Sequence, residues 1–181
     1  MRILLIIFLY MAIASTANAD LTQLETLKVG DMRKLKFQKI GNSVPVSPFL
    51  DANGASISLT NFSDKFILIN FWATWCAPCR KEMPQLSKLQ LQMGGKDFEV
   101  LTIATGRNDP NQMALFFEEI GVQNLPLYRD PKQELARNMG VLGLPTSIII
   151  DRNGYEIARL LGDADWHSDS AIEIIKYLIL N

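Results

Sequence analysis

The sequence predicts an α/β sandwich: a central mixed β-sheet flanked by helices, with an extra N-terminal β-hairpin. Three observations carry this reading. Apolar strand-like runs alternate with amphipathic stretches, two Asn-Gly pairs mark tight hairpins, and a final hairpin and helix close the chain.

The elements follow in order. Arg2 precedes an almost purely apolar run, Ile3 to Ala14, and Ala17-Asn18-Ala19 supplies small residues before Asp20. Residues 1–19 therefore read as a secretory signal peptide cleaved after Ala19. The rival is an uncleaved anchor, but spanning a bilayer takes about 20 apolar residues and this run is shorter. Residues 20–42 are mixed and charged, and read as a helical or irregular N-terminal extension. Val46–Leu50 and Ser56–Leu59 flank Asn53-Gly54, which predicts a hairpin. Phe66–Phe71 (FILINF) is continuously apolar but for Asn70, as suits a strand buried on both faces.

A helix follows and ends near Gly94-Gly95; Glu99–Thr105 is the next strand. Asp109-Pro110 predicts an N-cap and first-turn proline for a helix stopping at Gly121. Leu127–Arg129 is a short extended piece, and Asp130-Pro131 predicts another helix, closed by Gly140. Thr146–Asp151 and Tyr155–Leu161 read as strands joined at Asn153-Gly154. Asp165–Leu180 reads as an amphipathic helix with Trp166, Ile172, Ile175 and Ile179 on one side.

Composition narrows the function classes. Removing 19 of the 181 residues leaves 162, one domain with a full core, and takes away only Arg2, so the formal charge moves from −1 to −2. That balance offers neither a nucleic-acid footprint nor a basic membrane-surface patch. Export would put the cysteines where disulfides persist.

The chain's two cysteines, Cys76 and Cys79, lie in FWATWCAPCRKEMP, Phe71 to Pro84. As a staple, a four-residue loop contributes only about 2 kcal/mol. A structural zinc site usually takes four ligands, and the only histidine is His167, near the start of the last helix, which reads as a surface or capping residue. A redox couple fits the local physics better. Cys76 opens a helix, where unpaired N–H groups and the dipole favour a thiolate. Pro78 is tolerated in that first turn. Cys79, one turn deeper, is the less exposed thiol and would resolve a mixed disulfide formed by Cys76. Arg80 and Lys81 either add positive charge to the site or form a solvated helix face.

NFWATWCAPCRKEMP, together with GVLGLPTSIIIDRNG at Gly140–Gly154, resembles the exported thioredoxin-like reductases of the TlpA/ResA/CcmG type. The resemblance runs from about Val46 to the last helix. It implies a thioredoxin-like domain over residues 43–181 and a periplasmic thiol-disulfide oxidoreductase. Such a protein acts mainly as a dithiol reductant of exported proteins, often in cytochrome c maturation or cytochrome oxidase assembly. Cys76 is then the nucleophile and Cys79 the resolving thiol. Pro145 matches a cis-proline lying against the disulfide, although a proline before a strand is also an ordinary turn residue. Leu144 would offer backbone groups to substrate, Trp75 would lie over the sulfurs, and Pro78 completes the substrate-facing set. Trp72 reads as core. Clients would be held through transient mixed disulfides and electrons would come from a membrane thiol reductase. The expected protein is monomeric and has no cofactor, metal or nucleic-acid partner.

Cytosolic thioredoxins carry a buried aspartate six residues before the first cysteine; here that position is Asn70. At about 100° per residue, Cys79, Met83, Leu86, Leu89 and Met93 share one arc of the helix, and Glu82 falls inside it. A carboxylate on that buried side would have a raised pKa and exchange protons with Cys79. The alternative is a first-turn glutamate favoured by the dipole. A general disulfide oxidase or isomerase is the competing enzyme reading. A copper-binding assembly factor using Cys76 and Cys79 is the competitor from another class.

Overall fold

The structure is a computed structural model that describes residues 21–181; the expected leader, residues 1–19, lies outside the described residues. Eight strands form one sheet: β1 (Lys36–Ser43), β2 (Phe49–Leu50), β3 (Ser56–Ile57), β4 (Phe66–Trp72), β5 (Phe98–Thr105), β6 (Tyr128–Asp130), β7 (Thr146–Ile150) and β8 (Tyr155–Leu161). Among the described residues, four α-helices accompany them: α1 (Ala77–Met93), α2 (Pro110–Glu119), α3 (Glu134–Asn138) and α4 (Asp169–Leu180). Residues 21–26 add a helical segment at the start of the described chain.

The sheet order is β1-β8-β7-β4-β5-β6-β2-β3. β4 runs parallel to β5 and antiparallel to β7, so the sheet is mixed as expected. Every residue of β4 from Ile67 to Trp72 is buried, which is why its sequence is nearly continuous in apolar residues. The period of two then sorts its side chains between two cores. Leu68 and Trp72 join Val100, Ala104 and Ile149 beneath α1, α2 and α4. Ile67, Ile69 and Phe71 join Leu101, Ile103 and Ile148 on the other face, covered by Phe49, Leu59 and α3. Trp72 is core, stacked on Phe117 at 5.4 Å between ring centroids.

Both hairpins form, and each turn carries a device beyond its Asn-Gly pair. Asp51 Oδ1 accepts from the N–H groups of Asn53 and Ala55, both at 2.8 Å. Asp151 Oδ1 does the same for Asn153 and Tyr155. Gly54 and Gly154 take φ of +82° and +80°, the left-handed region that glycine enters without steric cost.

Three expectations about elements are corrected. Part of the N-terminal extension is neither helical nor irregular: β1 pairs antiparallel with β8 from Lys36↔Arg159 to Ser43↔Tyr155. Its polar sequence suits an edge strand, which has one neighbour and little to bury. The register shifts between Phe37 and Asn42, and a Cβ on Gly41 would stand 2.8 Å from Tyr155 Cβ, so the strand closes there only with glycine. Second, α3 starts at Glu134 instead of at Pro131, because Gln133 turns left-handed at φ +56°. Asp130 still caps the helix: its carboxylate accepts from Glu134 N and Ala136 N, each at 2.9 Å. Third, α4 starts at Asp169 with Ser168 as N-cap, so Trp166 is buried in the preceding turn and not on the helix. His167 lies in that turn at the surface, its Nε2 3.1 Å from Gln92 Oε1.

Asp130 thus carries the placement of α3. Asp130→Ala leaves two N–H groups without partners and should cost about 2–4 kcal/mol. Denaturant unfolding measures this, and a midpoint equal to wild type would contradict the capping role.

Candidate active site

β4 ends at Trp72 in the middle of the sheet, and residues 73–75 lead directly into α1, with Cys76 as its N-cap. The cysteines therefore stand at the carboxyl end of a central strand, where α/β folds place their sites. Cys76 and Cys79 form a disulfide, their Cα atoms 5.3 Å apart. Cys76 is 6 % exposed and Cys79 is fully buried. Cys79 N lies 3.3 Å from Cys76 Sγ and donates to it, so the outer sulfur sits among the unpaired N–H groups of the first turn. Pro78, exposed, occupies that turn.

Asn108, which has no motif around it in the sequence, fixes the approach to Cys76. Its Oδ1 accepts from Thr74 N at 2.8 Å and from Thr74 Oγ1 at 3.1 Å, while its Nδ2 donates to Thr105 O at 2.9 Å. The loop of residues 73–75 is thereby tied to the end of β5.

The two cations after Cys79 are already engaged. Arg80 lies over the ring of Phe116, 4.3 Å from its centroid, with Glu119 at 3.6 Å. Lys81 pairs with Asp163 at 3.3 Å. Their positive charge is turned to α2 and to the loop before α4.

Glu82 is 2 % exposed, one turn past Cys79 on the buried side of α1. Because Asn70 alternates with Leu68 and Trp72, it points from β4 toward the same helix. Asn70 Nδ2 donates to Glu82 Oε1 at 2.7 Å and to Ser147 Oγ at 3.0 Å. Ala164 N donates to Glu82 Oε2 at 3.0 Å. Burial pushes the Glu82 carboxyl up to about 7; the bonds from Asn70 and Ala164 act against this, and the nearby charge of Asp163 adds to it. Trp166, whose ring is also close, makes no hydrogen bond through Nε1 that meets normal distance and angle limits. The arrangement holds a carboxyl group that takes up and releases a proton near neutral pH inside the domain.

Leu144-Pro145 is a cis peptide bond, as the matching Gly-Leu-Pro-Thr context implies. Phe71 pairs with Thr146, so Pro145 falls at the same end of the sheet as the cysteines. Pro145 is buried, and its carbonyl accepts from Gly162 N at 2.9 Å. Leu144 packs against both cores. Trp75 is 68 % exposed and borders two surface depressions, one toward Leu144 and one toward Arg80. A polar staple unseen in the sequence holds the start of this loop: Arg159 Nη2 donates to Met139 O at 2.7 Å and to buried Glu156 at 2.7 Å.

Comparison with known proteins matches residues 39–175 to the family described as Redoxin. The chain is similar to the thiol-disulfide oxidoreductase ResA of Bacillus thuringiensis subsp. konkukian, 32 % identical over 138 residues, which cover 76 % of this chain and 79 % of that protein. Among solved structures it is similar to a DsbF homologue from Corynebacterium diphtheriae. That match has a TM-score of 0.62 and 27 % identity, over 80 % of this chain and 91 % of that one. It is also similar to the thioredoxin domain of a thiol-disulfide oxidoreductase from Bacteroides vulgatus. There the TM-score is 0.64 and the identity 25 %, over 77 % of this chain and 96 % of that one. The α/β architecture described above is accordingly thioredoxin-like.

The raised carboxyl makes stability depend on pH. Glu82 binds its proton more tightly in the folded protein, at about 7, than at the ordinary value of 4.5. Below pH 4.5 it is protonated in both states and contributes no difference. Between 4.5 and 7 only the folded state keeps the proton, so stability falls as pH rises, by about 3 kcal/mol in total, and levels off above 7. Glu82→Gln should lack this descent and gain on wild type from pH 5 to pH 8. Denaturant unfolding across that range tests it, and parallel curves for the two proteins would contradict the assignment.

Proposed function

The chain belongs to the Redoxin family and is a thiol-disulfide oxidoreductase; from that premise we propose that it is a dithiol reductant of exported proteins. Cys76 is the nucleophile and Cys79 the resolving thiol. The thiolate of Cys76 attacks one sulfur of a client disulfide, forming a mixed disulfide and releasing the other client sulfur as a thiolate, which takes up a proton. Cys79, deprotonated, attacks Cys76 Sγ and expels the second client thiol. The client disulfide is reduced and Cys76–Cys79 is oxidised. Glu82 accepts the proton of Cys79 in the resolving step, a role that a group titrating near pH 7 fills efficiently. Trp75, Pro78, Leu144 and Pro145 form the surface that meets the client.

The observation that carries the reducing direction is the electrostatics around the sulfurs. A disulfide becomes a strong oxidant when its reduced form is stabilised, above all by cations beside the thiolate. Here Arg80 and Lys81 are paired with Glu119 and Asp163. The group buried under the helix is the Glu82 carboxyl, which when ionised disfavours a second anion nearby. The dithiol is thus left a ready electron donor.

The place of action is the periplasm, reached through residues 1–19 as a cleaved leader, with a membrane thiol reductase restoring the dithiol. Among the described residues, no helix is long and apolar enough to cross a membrane. Cytochrome c maturation or oxidase assembly, as the resemblance to ResA-type proteins implies, supplies the clients.

Two measurements test this reading. The reduction potential at pH 7 should lie below about −200 mV, on the reducing side of the strong oxidants; a value near −120 mV would make the protein an oxidase. Cys79→Ala removes the intramolecular resolving step, whose effective concentration keeps the intermediate short-lived. Expressed in the periplasm, it should accumulate reductant-sensitive adducts that name the clients. Trapping by Cys76→Ala in place of Cys79→Ala would reverse the two roles.

A further inference from the structure

On the sheet face opposite Glu82, a groove of about 280 Å³ opens beside Trp75, lined also by Thr105, Gln133, Arg137, Leu142 and Leu144. We propose that this groove receives the client segment flanking its reactive cysteine and selects segments that carry a carboxylate side chain, which pairs with Arg137. The proposal rests on the thiol-disulfide reading above and adds a client preference to it.

Three features of the groove support an extended client segment that carries an anionic side chain. Thr105 is 3 % exposed, and its Oγ1 has no hydrogen-bond partner. Such orphaned hydroxyls are rare in folded proteins, and a polar group entering the groove would satisfy this one. Period-two alternation places Thr105 with Leu101 and Ile103, on the face that α3 covers. Second, Arg137 is the one charged residue lining the groove, and among the described residues its guanidinium makes no ion pair or hydrogen bond. Arg159, which reaches the carbonyls at the end of α3, is by contrast paired with Glu156. Asp130, beneath α3, spends both carboxylate oxygens on backbone N–H groups, and Glu134 does not line the groove. Third, Trp75 and Leu142, 68 % and 99 % exposed, stand at the groove's rim. Scattered apolar residues at a surface need no explanation, but two beside one groove supply contact area for an extended chain.

An arginine free to form a planar, two-point bond to a carboxylate gives this preference its geometry. Leu144 leads into Pro145 at the sheet end that holds the cysteines, so a client bound here is held next to the reacting sulfur.

The test uses the full chain, reduced, with three substrates. Two are peptide disulfides of identical length whose cysteine is flanked on both sides by Asp in one and Lys in the other; the third is hydroxyethyl disulfide, which has no charge. The Asp peptide should be favoured about tenfold in kcat/KM at low salt, with the preference shrinking as salt rises. Arg137→Gln should bring the Asp/Lys ratio close to one, and Arg137→Glu should invert it. Thr105→Val should raise KM for both peptides and leave their ratio in place. A wild-type ratio of one, a preference for Lys, or a ratio that survives Arg137→Glu would overturn the proposal. Failure to reduce even hydroxyethyl disulfide would instead overturn the reductant reading, and the groove's role with it.

Discussion

The hydrogen bond from Asn70 Nδ2 to Glu82 Oε1, 2.7 Å long, ties the central strand to the helix that carries both cysteines. Neither group would be expected there alone. Asn70 interrupts a strand buried on both faces, and Glu82 interrupts the apolar side of α1. The Asn70 amide N–H and the Glu82 carboxyl satisfy one another, since a buried polar group without a partner costs roughly 1–3 kcal/mol, while Asn70 Oδ1 has no partner among the described residues. Ala164 N closes the network from the loop before α4, so three separate segments meet at one carboxyl group. The helix cannot rotate or slide on the sheet without breaking these bonds, and the position of Cys79 above them is fixed as a result.

The sheet divides the work of the site between its faces. Beneath α1 the environment is dry and holds a group that titrates near neutrality. On the other face lies the open groove between Trp75, α3 and the Leu144 loop. The disulfide sits at the end of the sheet where both meet. The titrating carboxyl is thus shielded from solvent, while the outer sulfur lies toward the end of the sheet where the groove opens. Asn108 and Arg159 hold the two loops that frame this surface, each through bonds to backbone carbonyls or amides. Rigid framing of this kind suits a site that must place two sulfurs in line for exchange.

Charge placement follows the same division. The cations that follow Cys79 in sequence neutralise acids on α2 and on the loop before α4. Arg137, which makes no ion pair among the described residues, is distant in sequence and lines the groove. Proximity in sequence to a cysteine is therefore a poor guide to its electrostatics; the ion pairs decide.

The sequence by itself determined whatever depends on local pattern. The buried run of β4, the Trp-Cys-Ala-Pro-Cys helix start, the Asn-Gly turns and the Asp109 cap depend on neighbours within a few residues. Periodicity and capping chemistry therefore expose them directly. The angular position of Glu82 on α1 was legible for the same reason. What the sequence left open was whether that carboxylate is buried, because its partners lie 12 and 82 residues away. The same limit hid β1, which is a strand only because β8 lies beside it. It also hid Asn108, which acts through a loop 34 residues distant. The late start of α3 depends on Gln133 turning left-handed above the Asp130 cap, a choice no propensity scale makes for glutamine. Thr105 and Arg137 show the limit most clearly. A threonine ending a strand and an arginine on a short helix carry no signal of their own. Only the folded sheet brings them to one groove, and only there do an unsatisfied hydroxyl and an unpaired charge acquire a meaning.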